Sequence, residues 1–321
     1  MTLLPPVAKK QPTVHAYHSV PDEYHWLKDM SKTGKRQDIM EYITAENAYA
    51  KQQFAPNSGL ADSIYKEFLA KIEETDQQVP YFKENYWYYT RTVEGEQYPI
   101  YCRRFETLEA PEQEYLNPNL WKEYDFIAVG GLSVSPSGNL LAYTLDTSGA
   151  EKYTIFFKNL VTGELLLDLI TESSPTVEWG NNDDTVYYMS QDDLFRADKL
   201  YLHTIGQDKS SDVLLFHNSD EKFDGGFHKS GSSRYLLVEV SSPQTTESHY
   251  IDLDVNATEV KCFWPREHKH EYSIEHQGDY FLIVTNGGGQ FLNGKFQRTR
   301  IENTARDQWE DVLTYNPYHQ I

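Results

Sequence analysis

The chain has 321 residues with 49 acidic and 29 basic side chains, so its formal net charge is 29 − 49 = −20. Such an excess of negative charge repels phosphate groups, which argues against nucleic acid and anionic membrane as partners. Tyrosine occurs 24 times. This frequency is typical of strand-rich packing, because the ring covers a pleated surface while the hydroxyl reaches water.

The two cysteines, Cys102 and Cys262, each lie inside an apolar, strand-like run. So few cysteines indicate a reducing compartment and no disulfide framework. The opening residues 1–12 are too short in their apolar part for a signal peptide, and no run approaches the length that crosses a bilayer. We therefore expect a cytoplasmic protein.

Residues 1–75 predict a helical N-terminal arm. Residues 1–20 contain Pro and His without periodicity, which indicates an extended segment. From Asp22 to about Lys71 the residue pattern predicts helix, with a break at Pro56–Gly59. The second predicted helix, Leu60–Ile72, carries one apolar stripe made of Ile64, Tyr65, Phe68, Leu69 and Ile72. Because such helices cannot bury their apolar faces alone, we expect them to pack against another domain.

Residues 131–170 predict four short strands separated by turns. Runs rich in β-branched and aromatic residues alternate with Gly/Pro/Ser/Asp clusters, which is the pattern of antiparallel hairpins. The predicted strands are Leu132–Val134, Leu140–Leu145, Tyr153–Asn159 and Glu164–Leu169. Four meandering strands of this length are typical of one blade of a β-propeller.

The same plan recurs along residues 76–321, with further copies that begin at Val79, Val177, Phe227 and Ile274. The first-turn residues Gly138, Asp184, Ser232 and Gly278 are 46, 48 and 46 residues apart. A steady period in an all-β sequence predicts propeller blades, since stacked helical repeats would need a 3.6-residue apolar period. A β-sandwich with accidental spacing is the alternative.

Several motifs, which occur in the same order as in that family, resemble those of the prolyl oligopeptidase family of serine peptidases. Asp22-Glu23-Tyr24-His25-Trp26-Leu27-Lys28-Asp29 is similar to that family's Asp-Pro-Tyr-x-Trp-Leu-x-Asp opening. The motifs that resemble the oligopeptidase B group in particular are Ile72–Asp76, Tyr86–Arg91, Gln97–Ile100, Ser135–Gly138 and Asp146–Gly149. Ser137 departs from the Asp that is usual in the family's Ser-Pro-Asp-Gly turn.

The resemblance implies a helical arm, a seven-bladed propeller and a C-terminal α/β-hydrolase domain with a Ser–Asp–His triad. The nucleophile elbow of such a domain is Gly-x-Ser-x-Gly, and the sequence does not contain it. Ser148 has Asp146 two positions before it, and Ser233 has Tyr235 two positions after it. We therefore expect a mainly β chain with about five of the seven blades, no hydrolase domain and no catalytic residue.

By this resemblance the chain is the non-catalytic propeller portion of an oligopeptidase B-like serine endopeptidase, and we expect it to be inactive alone. In the family the propeller is inferred to gate the access of short peptides, cleaved after Arg or Lys, to the hydrolase domain. Expected partners are a separate hydrolase chain or a second copy, with short basic peptides binding only to a completed enzyme. A free-standing propeller that binds or scaffolds other proteins is the alternative, and an unrelated active site inside the propeller is a third interpretation.

Two constellations are candidate ligand sites. His268 and His270 could chelate Zn²⁺ from one strand face, with Glu267, Glu271 and His276 nearby, but we favour a solvated loop between blades. Gly287–Gly289 could cradle a phosphate only before a helix N-terminus, so a flexible hairpin is predicted instead. The sequence thus predicts no cofactor and no metal site.

The remaining candidates are surface and packing residues. Tyr86–Tyr89 could line a ligand surface, but inter-blade packing is the favoured interpretation. Arg91, Arg103 and Arg104 are expected to form ion pairs with a partner domain or with other blades. The pairs Asp183-Asp184 and Asp192-Asp193 are interpreted as turn carboxylates first and as cation-binding candidates second.

Overall fold

A computed structural model describes residues 3–12, 16, 17, 20–28 and 36–321, with residues 16 and 17 described by their backbone only. Asp29 of the predicted family motif lies outside the described residues, as do residues 1, 2, 13–15, 18 and 19 of the predicted extended segment. The chain divides into two compact units, Met1–Thr75 and Asp76–Ile321.

In the first unit, the short strands β1 (Ala16–Tyr17) and β2 (Val20–Pro21) pair antiparallel. They are followed by α1 (Gln37–Phe54) and α2 (Ser58–Leu69), which are joined by a 3-10 turn at Ala55–Asn57. Pro56 occupies the first turn of this 3-10 segment, where its missing N–H costs no helical hydrogen bond.

The predicted bounds of the second helix were therefore wrong at both ends. Ser58 and Gly59, interpreted as part of the break, are the first residues of α2, and the helix ends at Leu69 rather than Ile72. The predicted apolar stripe is present, and its members Ile64, Tyr65, Phe68 and Ile72 are exposed.

The second unit contains nineteen strands, each antiparallel to its neighbours. In chain order they are β3 (Tyr81–Lys83), β4 (Tyr86–Arg91), β5 (Ile100–Phe105), β6 (Gln113–Leu116), β7 (Ala128–Val134), β8 (Leu140–Asp146), β9 (Tyr153–Asn159), β10 (Leu165–Trp179), β11 (Thr185–Gln191), β12 (Ala197–Thr204), β13 (Val213–His217), β14 (Asp224–Lys229), β15 (Tyr235–Ser242), β16 (Thr245–Asp252), β17 (Lys261–Trp264), β18 (Tyr272–Gln277), β19 (Tyr280–Thr285), β20 (Lys295–Arg300) and β21 (Glu310–Asp311). The described residues form five four-stranded blades. The propeller prediction is confirmed.

Blades 1, 4 and 5 are separate sheets, made of β3–β6, β14–β17 and β18–β21, whereas blades 2 and 3 share one seven-stranded sheet. The shared strand is β10. Its first half pairs with β9 of blade 2, its second half pairs with β11 of blade 3, and Ser173 opposes residues of both. The sequence analysis predicted one strand at Glu164–Leu169 and a separate copy that begins at Val177, and this separation was wrong because register shifts let one strand bend between the two blades.

Close packing between blades requires glycine where β7 meets β10. A Cβ atom at Gly131 would lie 2.7 Å from the carbonyl oxygen of Pro175, and one at Gly130 would lie 2.3 Å from Oγ1 of Thr144. That hydroxyl donates to the same Pro175 carbonyl at 2.7 Å. Pro175 is tolerated in a strand because it lies in the register-shifted bend of β10, where no ladder N–H is needed.

The core consists of apolar seams, one between each pair of consecutive blades. Each seam combines side chains from the middle strands of one blade with those of the next. Members include Tyr88, Leu141 and Tyr143 between blades 1 and 2; Phe157, Trp179 and Tyr188 between blades 2 and 3; Tyr187, Leu200 and Leu236 between blades 3 and 4; and Tyr235, Phe263 and Phe281 between blades 4 and 5. No blade could bury these faces by itself.

Replacing a seam leucine should destabilise the whole propeller unit. Leu236 is fully buried between blades 3 and 4, so Leu236→Ala should lower the free energy of unfolding by about 2–5 kcal/mol. Leu167→Ala is the matched control, because Leu167 of β10 is completely exposed. The measurement is urea unfolding followed by far-UV circular dichroism, and equal losses in the two variants would contradict the assignment of the seam as the core.

Candidate functional site where four blades converge

The first strands of four blades end around one cavity of about 190 Å³. Lys83 and Glu84 come from blade 1, Ser133 and its neighbours from blade 2, Glu178 from blade 3 and Lys229 from blade 4. Since residues this far apart in sequence meet at one point, the first strands are the inner strands of these blades, and this central cavity lies where their ends converge. No motif in the sequence marks these residues; their shared position at the end of each repeat's first strand is the signal that could have found them.

The lining of this central cavity is balanced in charge. It contains three basic and three acidic side chains: Lys83, Lys229, Arg234, Glu84, Glu178 and Asp254. Burial lowers the pKa of Lys229, whose Nζ donates a hydrogen bond to the carbonyl oxygen of Gly180 at 2.9 Å. Glu178 accepts a hydrogen bond from Oγ of Ser133 at 2.9 Å. These groups are held by neighbouring blades, which leaves a polar cavity without a concentrated charge.

Hydrogen bonds between consecutive blades fix the walls of the central cavity. The indole N–H of Trp179 donates to the carbonyl oxygen of Ser133 at 2.8 Å, and Nδ2 of Asn181 donates to Oδ1 of Asp254 at 2.6 Å. The partners of the Ser133–Glu178 and Lys229–Gly180 bonds are 45 and 49 residues apart, close to one sequence repeat. Each blade therefore positions the inner strand of the next.

Of the aromatic run Tyr86–Tyr89, Tyr86 and Tyr88 line a smaller adjoining cavity of about 80 Å³. The interpretation as inter-blade packing is confirmed for Tyr88, which is buried in the first seam. Tyr86 lies under the guanidinium of Arg103 at 4.0 Å, and Nη1 of Arg103 donates to the carbonyl oxygen of Gly138 at 2.8 Å. Arg103 thus links blades 1 and 2, but to a backbone carbonyl rather than in an ion pair.

The prediction that Arg91 and Arg104 reach another blade or domain was wrong. Arg91 pairs with Glu112 at 3.1 Å and with Glu114 at 2.5 Å, and Arg104 lies 3.7 Å from Glu112. All four residues belong to blade 1. The short connection between β5 and β6 brings the carboxylates beside the arginines, a local solution that a single sequence does not reveal.

The two histidines considered as zinc ligands are not brought together. His268 is exposed, as predicted for a solvated loop, but that interpretation was wrong for His270. His270 is fully buried, lies beside Tyr272 and Trp309, and places Nε2 2.9 Å from Oγ1 of Thr285. Over the described parts of the chain, no group of three or more His, Cys, Asp or Glu side chains is placed to hold a metal ion.

The other sequence candidates act as turn residues. Gly287–Gly289 all have positive φ and connect β19 to β20, so the predicted hairpin is confirmed. Asp192 accepts hydrogen bonds from the backbone N–H groups of Leu194 and Arg196. Asp183 reaches across a seam and accepts from the backbone N–H of Ser137 at 3.1 Å.

Among the serines, Ser232 at the central cavity has a histidine partner that the sequence does not reveal. Its Oγ lies 2.7 Å from Nδ1 of His276 in blade 5. The other ring nitrogen, Nε2, is buried without a hydrogen-bond partner, so no carboxylate orients this imidazole as a triad requires. Ser148 instead donates its hydroxyl to Asp146 at 2.6 Å. Neither serine has the partners of an acyl-transfer nucleophile.

Comparison with known proteins decides the family. The family model described as "Prolyl oligopeptidase, N-terminal beta-propeller domain" matches residues 5–319. The chain belongs to the prolyl oligopeptidase family. It is therefore a propeller domain of the kind that stands at the N-terminus in that family, in agreement with the order of the sequence motifs.

Relatives of this prolyl oligopeptidase family propeller carry peptidase names. Dipeptidyl aminopeptidase BI of Pseudoxanthomonas mexicana is 34% identical over 330 residues, and Protease 2 of Moraxella lacunata is 32% identical over 321 residues. Each match covers 97% of this chain and 45% of the relative. The chain thus spans about half the length of the curated relatives that it matches.

Solved structures show the same likeness to oligopeptidase B. The enzyme from Leishmania major has a TM-score of 0.89 at 28% identity, covering 98% of this chain and 46% of that one. The enzyme from Trypanosoma brucei, in a closed form with covalently bound antipain, has a TM-score of 0.83 at 29% identity, covering 92% and 42%. Among the described residues, none of the helices is both long and apolar enough to cross a bilayer.

The buried His270 should make the stability of this family propeller depend on pH. Burial, reinforced by the charge of Arg306, lowers the pKa of His270 below its ordinary 6.5. Between the lowered folded value and 6.5 only the unfolded chain binds this proton, so the free energy of unfolding should fall as the pH drops through this window.

The measurement is urea unfolding at several pH values between about 5 and 8. His270→Gln should reduce the pH dependence, with His249 and His276 retaining a part of it, whereas His268→Gln, which removes an exposed ring two residues away, should leave it unchanged. A slope that is the same in both variants would show that His270 does not carry the linkage.

Proposed function

We propose that this propeller admits short, extended peptides to a serine-hydrolase domain and keeps folded proteins out. The observation that carries the proposal is the central cavity, which four blades line and whose volume is about 190 Å³. A cavity of this volume has room for part of an extended peptide, whereas a folded domain is far too large to enter it. The peptidase names of the relatives support the same interpretation.

The chemistry of the cavity suits a passage better than a tight binding site. Its three basic and three acidic side chains balance, and Lys229 and Glu178 are already held by Gly180 and Ser133. A peptide that passes through therefore meets polar groups without a strong electrostatic trap. Tight binding would slow release, and product release sets the turnover of many enzymes.

We propose cleavage after Arg or Lys as the activity of the completed enzyme, because the sequence motifs resemble oligopeptidase B. One relative is named for dipeptidyl aminopeptidase activity, which releases dipeptides from the N-terminus. The products therefore distinguish that mode of cleavage from cleavage after Arg or Lys. The described residues supply no triad. The 321-residue chain is therefore proposed to be catalytically silent until a hydrolase domain, in the same or another chain, completes it.

Association and location are further parts of the proposal. The exposed apolar stripe of α2 and the exposed leucines of β10 favour association with a hydrolase domain or with a second copy. A cytoplasmic location is supported by the two free cysteines, of which Cys102 is buried and Cys262 is exposed, on strands of different blades.

The proposal is tested in a chimera in which this chain replaces the matching propeller of Moraxella lacunata Protease 2. The chimera should cleave an Arg-containing peptide of about eight residues and spare the same sequence placed in a loop of a folded protein. Mass spectrometry of the products gives the position of the cut. Labelling by a fluorophosphonate shows that the hydrolase domain is folded, and the 321-residue chain alone should neither label nor cleave.

A paired variant tests the role of the cavity itself. Lys83→Ala with Glu84→Gly removes two exposed side chains at the rim, and glycine accepts the positive φ of 53° at position 84. Cleavage of the folded loop should then rise. Glu221→Gly with Lys222→Ala is the matched control, since it removes one exposed acid and one exposed base away from the cavity. Equal cleavage of the peptide and the folded loop in the unmodified chimera would overturn the gate and favour a free-standing binding protein.

A further inference from the structure

A third cavity, of about 340 Å³ and widely open to solvent, lies between blades 4 and 5. It is lined by the start of β18, by the end of β19 and by Glu239 near the end of β15. The central cavity lies instead at the end of β14 and the turn that follows it. Because β14 and β15 are antiparallel, the two cavities open at opposite ends of the blades.

Glu239 occupies an unusual place in the seam between blades 4 and 5. Tyr235 and Leu237 precede it on the same face of β15 and pack in this seam. The residue opposite Glu239 on β14 is Gly226, where a Cβ atom would meet nothing within 4 Å. The missing side chain leaves open space beside a half-buried carboxylate.

The carboxylate of Glu239 makes no hydrogen bond and no ion pair with any residue that the structure describes. Burial raises its pKa, and the charge of His228 on β14 lowers it by a smaller amount. Other partly buried carboxylates of the propeller are compensated: Glu112 by Arg91, Glu247 by Arg266 and Asp252 by Arg234. Glu239 therefore carries a desolvation cost that His228 offsets only in part and that no hydrogen bond or ion pair with the described residues relieves.

The surroundings of Glu239 indicate the kind of group that would offset this cost. No Lys, Arg or His lines the cavity, and Glu271 at its wall already accepts a hydrogen bond from Nδ2 of Asn286 at 3.0 Å. Val284 and Leu292 provide apolar wall in the same cavity. A metal ion would need further ligands, which the described residues do not assemble. A flat organic cation on an aliphatic stem fits both the charge and the wall.

We propose that Glu239 anchors a binding subsite for the guanidinium group of an arginine side chain. The carboxylate accepts two N–H groups of the fork, and the aliphatic part of the side chain lies along Val284 and Leu292. This subsite does not depend on the gate at the central cavity or on a hydrolase domain. It is a property of the 321-residue chain.

The test titrates the purified chain with N-acetyl-arginine amide and follows binding by NMR. N-acetyl-citrulline amide is the matched ligand, since it has nearly the same shape without the charge. Glu239→Gln should weaken arginine binding by about 10- to 100-fold, the range for a lost charge-assisted pair. Glu164→Gln, which removes an exposed carboxylate of blade 2, should leave binding unchanged.

The thermal stability of the ligand-free chain is a second readout, because the Glu239 carboxylate has no hydrogen-bond or ion-pair partner. Without ligand, Glu239→Gln should raise the melting temperature at neutral pH, because it replaces a charge that His228 compensates only in part by a neutral group of the same shape. Equal binding of citrulline and arginine, or unchanged binding in Glu239→Gln, would overturn the proposal. So would a lower melting temperature for this variant, since that would reveal a structural partner for the carboxylate.

Discussion

Packing between blades is the interaction on which the rest of this structure depends. A four-stranded antiparallel blade has two apolar faces and too little area to bury either by curling on itself. In this chain the facing surfaces of consecutive blades cover one another, through large side chains such as Phe157, Trp179 and Tyr187. Aromatic side chains dominate because each buries a large area and because tilted ring pairs pack well across a flat seam.

Polar contacts turn this packing into a defined ring of inner strands. Trp179 belongs to a seam through its ring and to the wall of the central cavity through its N–H, which is bonded to the Ser133 carbonyl. Within the seam between blades 2 and 3, the ring of His203 lies between Asp212, at 2.6 Å, and Asp168, at 3.4 Å. The same contacts that hold neighbouring blades therefore shape the central cavity, which ties the proposed function to stability.

The local pattern of the sequence was sufficient for the blades. Alternating apolar runs and turn clusters predicted strands such as Tyr153–Asn159 correctly, and the period of the first turns predicted the propeller. These signals are local, since they arise from the pleat of a strand and from backbone preferences at turns. The bend of β10 was missed because it depends on Ser173 pairing with strands on both sides, which no local signal encodes.

The candidate sites were much harder to predict. Glu178 and Lys229 matter through contacts with residues 45 and 49 positions away, so a single sequence gives them no mark. The burial of His270 was missed for a similar reason. It follows a polar connector in sequence, but blade 5 closes over it through Trp309 and Thr285. Glu239 becomes a candidate only because its carboxylate has no hydrogen-bond or ion-pair partner, and this can be recognised only once the surrounding side chains are placed.

Native-state hydrogen exchange read by mass spectrometry tests the dependence of the blades on one another most directly. If each blade is stable only against its neighbours, the second strands β8, β11, β15 and β19 should exchange slowly and to a similar extent. Outer strands such as β13 and β21 should exchange faster. Rapid exchange through the whole of one blade beside a protected neighbour would show that the blades are independent, and would contradict the account of a single interlocked stack.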